Sequence, residues 1–161
     1  MADEVSIRLA RSSDDGELVR IDVATSTIET TPAPAPDPRE SFFARTGPQD
    51  TLVAEVAGAV AGWARLGPFY RIPSSAHVLE VRGFAVAPAW HRRGIGRALL
   101  DATVSQARAR NARRLMLRVL GTNAPARRLY AGGGFYVEGV LREQFLLGGR
   151  YVDDVVMART L

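Results

Sequence analysis

His91-Arg92-Arg93-Gly94-Ile95-Gly96-Arg97 joins an apolar run ending at Val86-Ala87-Pro88 to a stretch of good helix formers. That order reads as a strand, a tight glycine loop and a helix N-terminus. Such a junction aims several unpaired backbone N–H groups, and the positive end of a helix dipole, at one point in space. Glycines at 94 and 96 let the backbone approach an anion closely because no Cβ intervenes. Arg92, Arg93 and Arg97 add charge where that anion would sit. The chemistry is that of a pyrophosphate clamp. A dinucleotide fold is a poor match, since Leu99 stands at the third glycine position and the loop comes late in the chain. A P-loop is excluded because there is no lysine to reach a phosphate.

A second element follows: Asn123-x-x-Ala126-x-x-Leu129-Tyr130-x-x-x-Gly134-Phe135. Taken together, the two elements resemble the GNAT superfamily of acyl-CoA-dependent N-acyltransferases. The family's loop reads Q/R-x-x-G-x-G/A, and here His91 replaces the usual glutamine or arginine. That departure leaves the backbone clamp intact and puts a side-chain contact from position 91 in question. In element order the resemblance runs from about Ile7 to Leu161, with its specific motifs inside 78–135.

The resemblance implies acetyl-CoA as acyl donor and assigns roles residue by residue. Backbone groups around Phe84, Ala85 and Val86, on a strand that splays from its neighbour, would hold the thioester and pantetheine arm. Arg92, Arg93, Gly94, Ile95, Gly96, Arg97 and Ala98 would hold the pyrophosphate. Asn123 would contact the pantetheine or position the following helix; it also reads as a plain N-cap. Tyr130 would protonate the leaving thiolate, which suits a phenol that stays protonated at neutral pH. Glu80, six residues before Val86, is the candidate base, acting directly or through a water; the competing reading is a strand-end charge paired with Arg82. In an extended strand Glu80, Arg82, Phe84 and Val86 would share one face, unless a bulge at Gly83 intervenes. Trp63 reads either as a sheet-face core residue or as a substrate wall. Arg71, Arg82 or Arg142 could take a substrate carboxylate, and the sequence does not choose among them.

The elements that must position these groups follow from patterning. Strands are expected over 5–9, 51–56, 59–66, 77–87, 114–120, 136–147 and 151–159. Helices are expected from the Ser12–Asp15 caps to about Thr27, over 38–45, 94–110 and 123–132. Ala57-Gly58 and Gly148-Gly149 read as hairpin turns. Residues 30–38, rich in proline, read as a surface loop. The outcome is a single domain over 1–161 of mixed α/β (α+β) class: a six- to seven-stranded mixed sheet flanked by about four helices. The strand–helix–strand crossover from His77 to Leu120 should be parallel and right-handed. The acceptor pocket is expected to involve the proline-rich loop, the second helix, the hairpin at 57–58 and the one in the 140s.

Composition narrows the classes. The 161 residues contain no cysteine, so disulfides, thiolate metal sites and a cysteine nucleophile are excluded. His77 and His91 read as structural or surface residues, and no metal is expected. The net charge is +4, and all 21 lysine-or-arginine positions are arginine. Base composition explains that bias. The basic cluster at 91–97 belongs to the loop, and the one at 108–114 suits a helix end, so nucleic acid is not an expected partner. No segment suits a membrane span, and the acidic start has no signal-peptide core; the expected location is cytoplasmic. The expected reaction is N-acetylation of a primary amine on a small molecule, an amino acid or related amine. Gly134-Phe135 through Met157 resembles members acting on such acceptors. Protein N-terminal acetylation and a non-catalytic acyl-CoA-binding module are the alternatives, and the terminal hairpin leaves homodimer formation open.

Overall fold

The computed structural model describes residues 4–161; the first three residues of the acidic start lie outside them. Among the described residues the chain forms β1 (Val5–Leu9), α1 (Asp15–Thr25), β2 (Thr51–Val56), β3 (Ala59–Pro68), β4 (Val78–Val86), α2 (Ile95–Ala109), β5 (Arg114–Leu120), α3 (Ala124–Gly132), β6 (Tyr136–Leu147) and β7 (Arg150–Thr160). One seven-stranded sheet runs in the order β1-β2-β3-β4-β5-β7-β6. All its pairings are antiparallel except β4 with β5, which α2 connects as a parallel crossover. The class is mixed α+β.

Local chemistry explains these elements. Both hairpin turns hold two successive residues at positive φ, Ala57 and Gly58, then Gly148 and Gly149, as a two-residue turn of the right twist requires. Asp14 closes the 3-10 turn that leads into α1, its side chain accepting from the Arg11 amide at 2.7 Å, while Arg8 clamps its carboxylate at 2.8 and 2.9 Å. On α2, Ile95, Leu99, Leu100 and Val104 form the buried stripe. Leu99 and Ile95 pack on β2 and β3, and Leu100 and Val104 on β4, β5 and β7. On the opposite face α1 lays Leu18 and Ile21 against Val53 and Trp63. The sheet is therefore covered on both sides.

Two expectations need correction. The helix expected over 38–45 is absent; three α-helices, not four, flank the sheet. That segment is a run of turns, with Glu40 N–H donating to the Asp37 carbonyl and Ala44 N–H to the Ser41 carbonyl. Asp37 and Ser41 side chains accept from the amides of Arg39 and Phe43, and such local bonds compete with a helix. Phe42 and Phe43, adjacent in sequence, both pack against the cluster that holds Trp63, Phe42 edge-on to that ring at 4.8 Å. The second correction concerns β4. Arg65 pairs with Gly83 and Leu66 with Val81, so Arg82 is an extra, bulged residue. The bulge resets the alternation: Leu79, Val81 and Phe84 share one core cluster, while Ala85 packs on the other face with Trp63. Glu80 thus lies on the α1 face, opposite Phe84, not beside it.

Candidate active site

The site begins where the sheet comes apart. β4 pairs with β5 only from Val78↔Arg114 to Val81↔Leu117. Beyond the Arg82 bulge the two strands diverge, while β4 stays paired with β3 as far as Val86↔Gly62. Ala87 donates to the Ala61 carbonyl at 2.8 Å. By antiparallel alternation Ala85 also faces β3, and Phe84 and Val86 turn their backbone groups into the gap. Gly83 has to be glycine here: a Cβ would come within 2.5 Å of the Trp63 ring.

A cavity of about 1040 Å³ passes through this gap, large enough for a long cofactor arm together with a second small molecule. On its α2–α3 side it is lined by Arg92, Gly94, Ile95, Gly96, Asn123 and Tyr130. On its α1 side stand Asp22, Ser26, Thr31, Trp63, Arg65 and Arg82.

The glycine loop has a geometry that can take an anion. Arg92 and Gly94 both have positive φ, 61° and 78°, so consecutive amides turn inward as a nest. A Cβ on Gly94 would meet nothing within 4 Å, so the backbone there is open to a ligand. Gly94 caps α2, and the Ala98 amide donates to its carbonyl at 3.1 Å. The Ala98 amide is thus already engaged, and the unpaired head of the helix is formed by Ile95, Gly96 and Arg97. The side chains spread differently. Arg97 turns away, pairing with Asp101 at 3.0 Å and donating to the Gly132 carbonyl at 2.9 Å. Arg93 lies over the Trp90 ring at 5.1 Å. His91 Nε2 sits 2.7 Å from the Val86 carbonyl; the residue that departs from the family pattern ties the loop to the strand.

Asn123 caps α3, its side-chain oxygen accepting from the Ala126 amide at 3.3 Å. Capping leaves its NH₂ for the cavity. Tyr130, on the same helix, is buried between Phe84 and Phe135, with ring centroids 5.9 and 6.1 Å away. Burial pushes its phenol pKa well above the ordinary value, and among the described residues nothing hydrogen-bonds its hydroxyl. Glu80 is half-buried beside the cavity rather than among its lining residues. Arg82 Nε lies 3.5 Å from its carboxylate. Burial raises the Glu80 pKa above the usual carboxylate range, against the weaker pull of Arg82 and Arg118.

Sequence reasoning missed Arg65 and Asp22. Arg65 interrupts an otherwise apolar strand two residues after Trp63, and that isolated charge was the available signal. Asp22 sits in the last turn of α1 and meets the cavity only through tertiary packing. Of the arginines singled out for a carboxylate, Arg82 lines the cavity; Arg71 and Arg142 do not. Thr30, Thr31 and Pro32 line it, whereas the hairpins at 57–58 and in the 140s do not.

A sheet split beside a glycine-capped helix, with a buried tyrosine on the next helix, is the arrangement that the resemblance to the GNAT superfamily implies. The acetyltransferase (GNAT) family model matches residues 18–135, and the chain belongs to that family. It is 34% identical over 109 residues to the L-amino acid N-acetyltransferase AaaT of Escherichia coli K12, a match covering 67% of this chain and 66% of that protein. Among solved structures, a GCN5-related N-acetyltransferase from Kribbella flavida has a TM-score of 0.76 at 31% identity, covering 98% of each chain. A phosphinothricin acetyltransferase from Sinorhizobium meliloti, in complex with acetyl-CoA, has a TM-score of 0.82 at 21% identity, over 100% of this chain and 89% of that one; it shares the fold. The protein is a GNAT acetyltransferase.

Proposed function

We propose that this enzyme moves the acetyl group of acetyl-CoA to the primary amine of a small molecule, an amino acid or related amine, by direct attack in a ternary complex. The observation that carries the reading is one continuous cavity through the split sheet, with an anion cradle on one side and a polar wall on the other. The E. coli relative, named for L-amino acids, supports the choice of acceptor. Bound acetyl-CoA supplies an activated acyl group. The amides at the head of α2 hold its pyrophosphate, and the backbone of Phe84 with the amide of Val86 aligns its arm, the Val86 carbonyl being held by His91. With no cysteine in the chain to carry the acyl group, the amine nitrogen attacks the thioester carbon and the C–S bond breaks. Tyr130 gives the departing sulfur its proton. Glu80, on the acceptor face and with its basicity raised by burial, takes the amine proton through a water. We place the reaction in the cytoplasm.

The test is release of free CoA thiol from acetyl-CoA across a panel of amino acids, simple amines and a peptide with a free N-terminus, with products identified by mass. Acetylation of the small amines is the expected result. Acetylation of the peptide alone would move the enzyme to protein N-termini. Acetyl-CoA binding without turnover on any amine would make it a binding module.

A further inference from the structure

Three arginines reach the cavity beside the split: Arg65 on β3, Arg82 on β4 and Arg118 on β5. Two of them already have acids. Arg82 faces Glu80, and Arg118 Nε donates to the buried Asp154 at 2.8 Å. Arg65 has no carboxylate within ion-pair distance among the described residues; Asp22 and Asp50 act on it only from further off. Among the described residues its one hydrogen bond goes to the Phe42 carbonyl, at 3.1 Å. Its Nε is buried without a partner.

A cation in that condition is costly, because burial removes its water and nothing replaces the counter-charge. The fold nevertheless holds it firmly. The guanidinium lies over the Phe42 ring at 4.4 Å and near the Trp63 ring at 5.4 Å, a stacked setting that suits arginine and not lysine. The carboxylate on the same wall, Asp22, accepts from the Ser26 hydroxyl instead. A rigid planar fork, short of an anion and facing a cavity, matches a carboxylate that arrives with the substrate. Its place along the strand fits. Arg65 stands opposite Gly83 and Trp63 opposite Ala85, so the Arg65 backbone is about 7 Å along the sheet from the level of Ala85, between Phe84 and Val86. The long arginine side chain and a short amino-carboxylate together span that spacing.

We propose that Arg65 is the specificity determinant for the acceptor: it receives the carboxylate of a small amino acid and so directs the amine into the gap between β4 and β5. The inference rests on the acetyl-transfer reading above.

The experiment compares kcat/KM for CoA release on matched pairs, L-methionine, L-phenylalanine and L-glutamate each against its α-carboxamide, in wild type, Arg65→Gln and Arg65→Lys. Amidation alters the amine's own basicity, so the quantity read is how the acid-to-amide ratio changes between proteins. Arg65→Gln should lower that ratio at least tenfold, mainly through KM of the acid. Arg65→Lys should lower it less, since it keeps the charge and loses the fork. Acetyl-CoA affinity and thermal midpoint identify a folded variant. Should Arg65→Gln not fold, Arg65→Lys and the wild-type preference for acid over amide carry the test. An unchanged ratio in a folded variant, or a wild type indifferent to the carboxylate, overturns the role of Arg65 and leaves acetyl transfer standing. No turnover on either series, with acetyl-CoA bound, overturns transfer to small amines and this inference with it.

Discussion

Burial keeps the Tyr130 phenol protonated well past neutral pH, so the group is always available to give a proton to a forming thiolate. Its hydroxyl holds no structural bond among the described residues, and Tyr130→Phe removes nothing that supports the fold. We expect kcat to fall roughly 10²-fold with acetyl-CoA affinity nearly unchanged; a kcat within two- or threefold of wild type would assign the proton to another donor. In the proposed mechanism Glu80 takes the amine proton. Its pKa lies above the ordinary carboxylate range, so it becomes a base only as pH rises through that raised value. Activity should climb with pH through this limb, and Glu80→Gln should lower kcat/KM and remove the limb. An unchanged acidic limb in Glu80→Gln would leave Glu80 as the partner of Arg82 alone. Tyr130 and Asn123 were legible in the sequence because both sit in one short helix whose spacing is local. Arg65 and Asp22 were not, because β3 and the end of α1 bring them together only in the folded chain.

The loop and the helix it starts form the element on which donor binding turns in the proposed mechanism. Open space lies beyond position 94, so the side chain of Gly94→Asp meets no neighbour, although the positive φ there strains any residue but glycine. The new carboxylate would face the pyrophosphate. Acetyl-CoA affinity, measured by calorimetric titration, should weaken at least tenfold, about 1.4 kcal/mol; an unchanged affinity in a folded variant would rule the clamp out. At the other end of the chain, β1 and α1 are joined through Asp14, a buried carboxylate bound by Arg8, which also pairs with Glu55 at 2.9 Å. The Arg8 guanidinium holds the Asp14 pKa below the usual carboxylate value. Its contribution to stability is therefore complete above the unfolded-state pKa and disappears as pH falls through the lower folded-state value. Asp14→Asn should cost about 3 kcal/mol near neutral pH and flatten the acid side of the stability curve, as urea unfolding at several pH values would show. Strands, hairpins and α2 were readable from periodicity and turn residues. The segment over 38–45 misled because its apolar and polar residues fit a short helix, while Asp37 and Ser41 spend their side chains on local turns and Phe42 and Phe43 both pack into the cluster around Trp63.

At the scale of the whole molecule, the proposed function rests on a sheet that fails to close. The parallel pairing of β4 and β5 stops after four residue pairs, Arg82 bulges, and the resulting gap connects the faces covered by α1 and by α2 and α3. The sequence foretold the splay through Gly83 and the family motifs. It misplaced the face of Glu80, because a bulge one residue earlier inverts the alternation and no single-strand pattern reveals which residue is extra. The account depends on the gap holding the donor's sulfur beside Tyr130. A crystal structure with CoA tests that most directly. The account predicts the pyrophosphate against the amides of Gly94 to Arg97, the pantetheine arm along Phe84 and Val86, and the sulfur within about 3–4 Å of the Tyr130 hydroxyl, hydrogen-bond reach for a thiol. CoA bound outside the split, or a sulfur turned away from Tyr130 with the arm off β4, would contradict it.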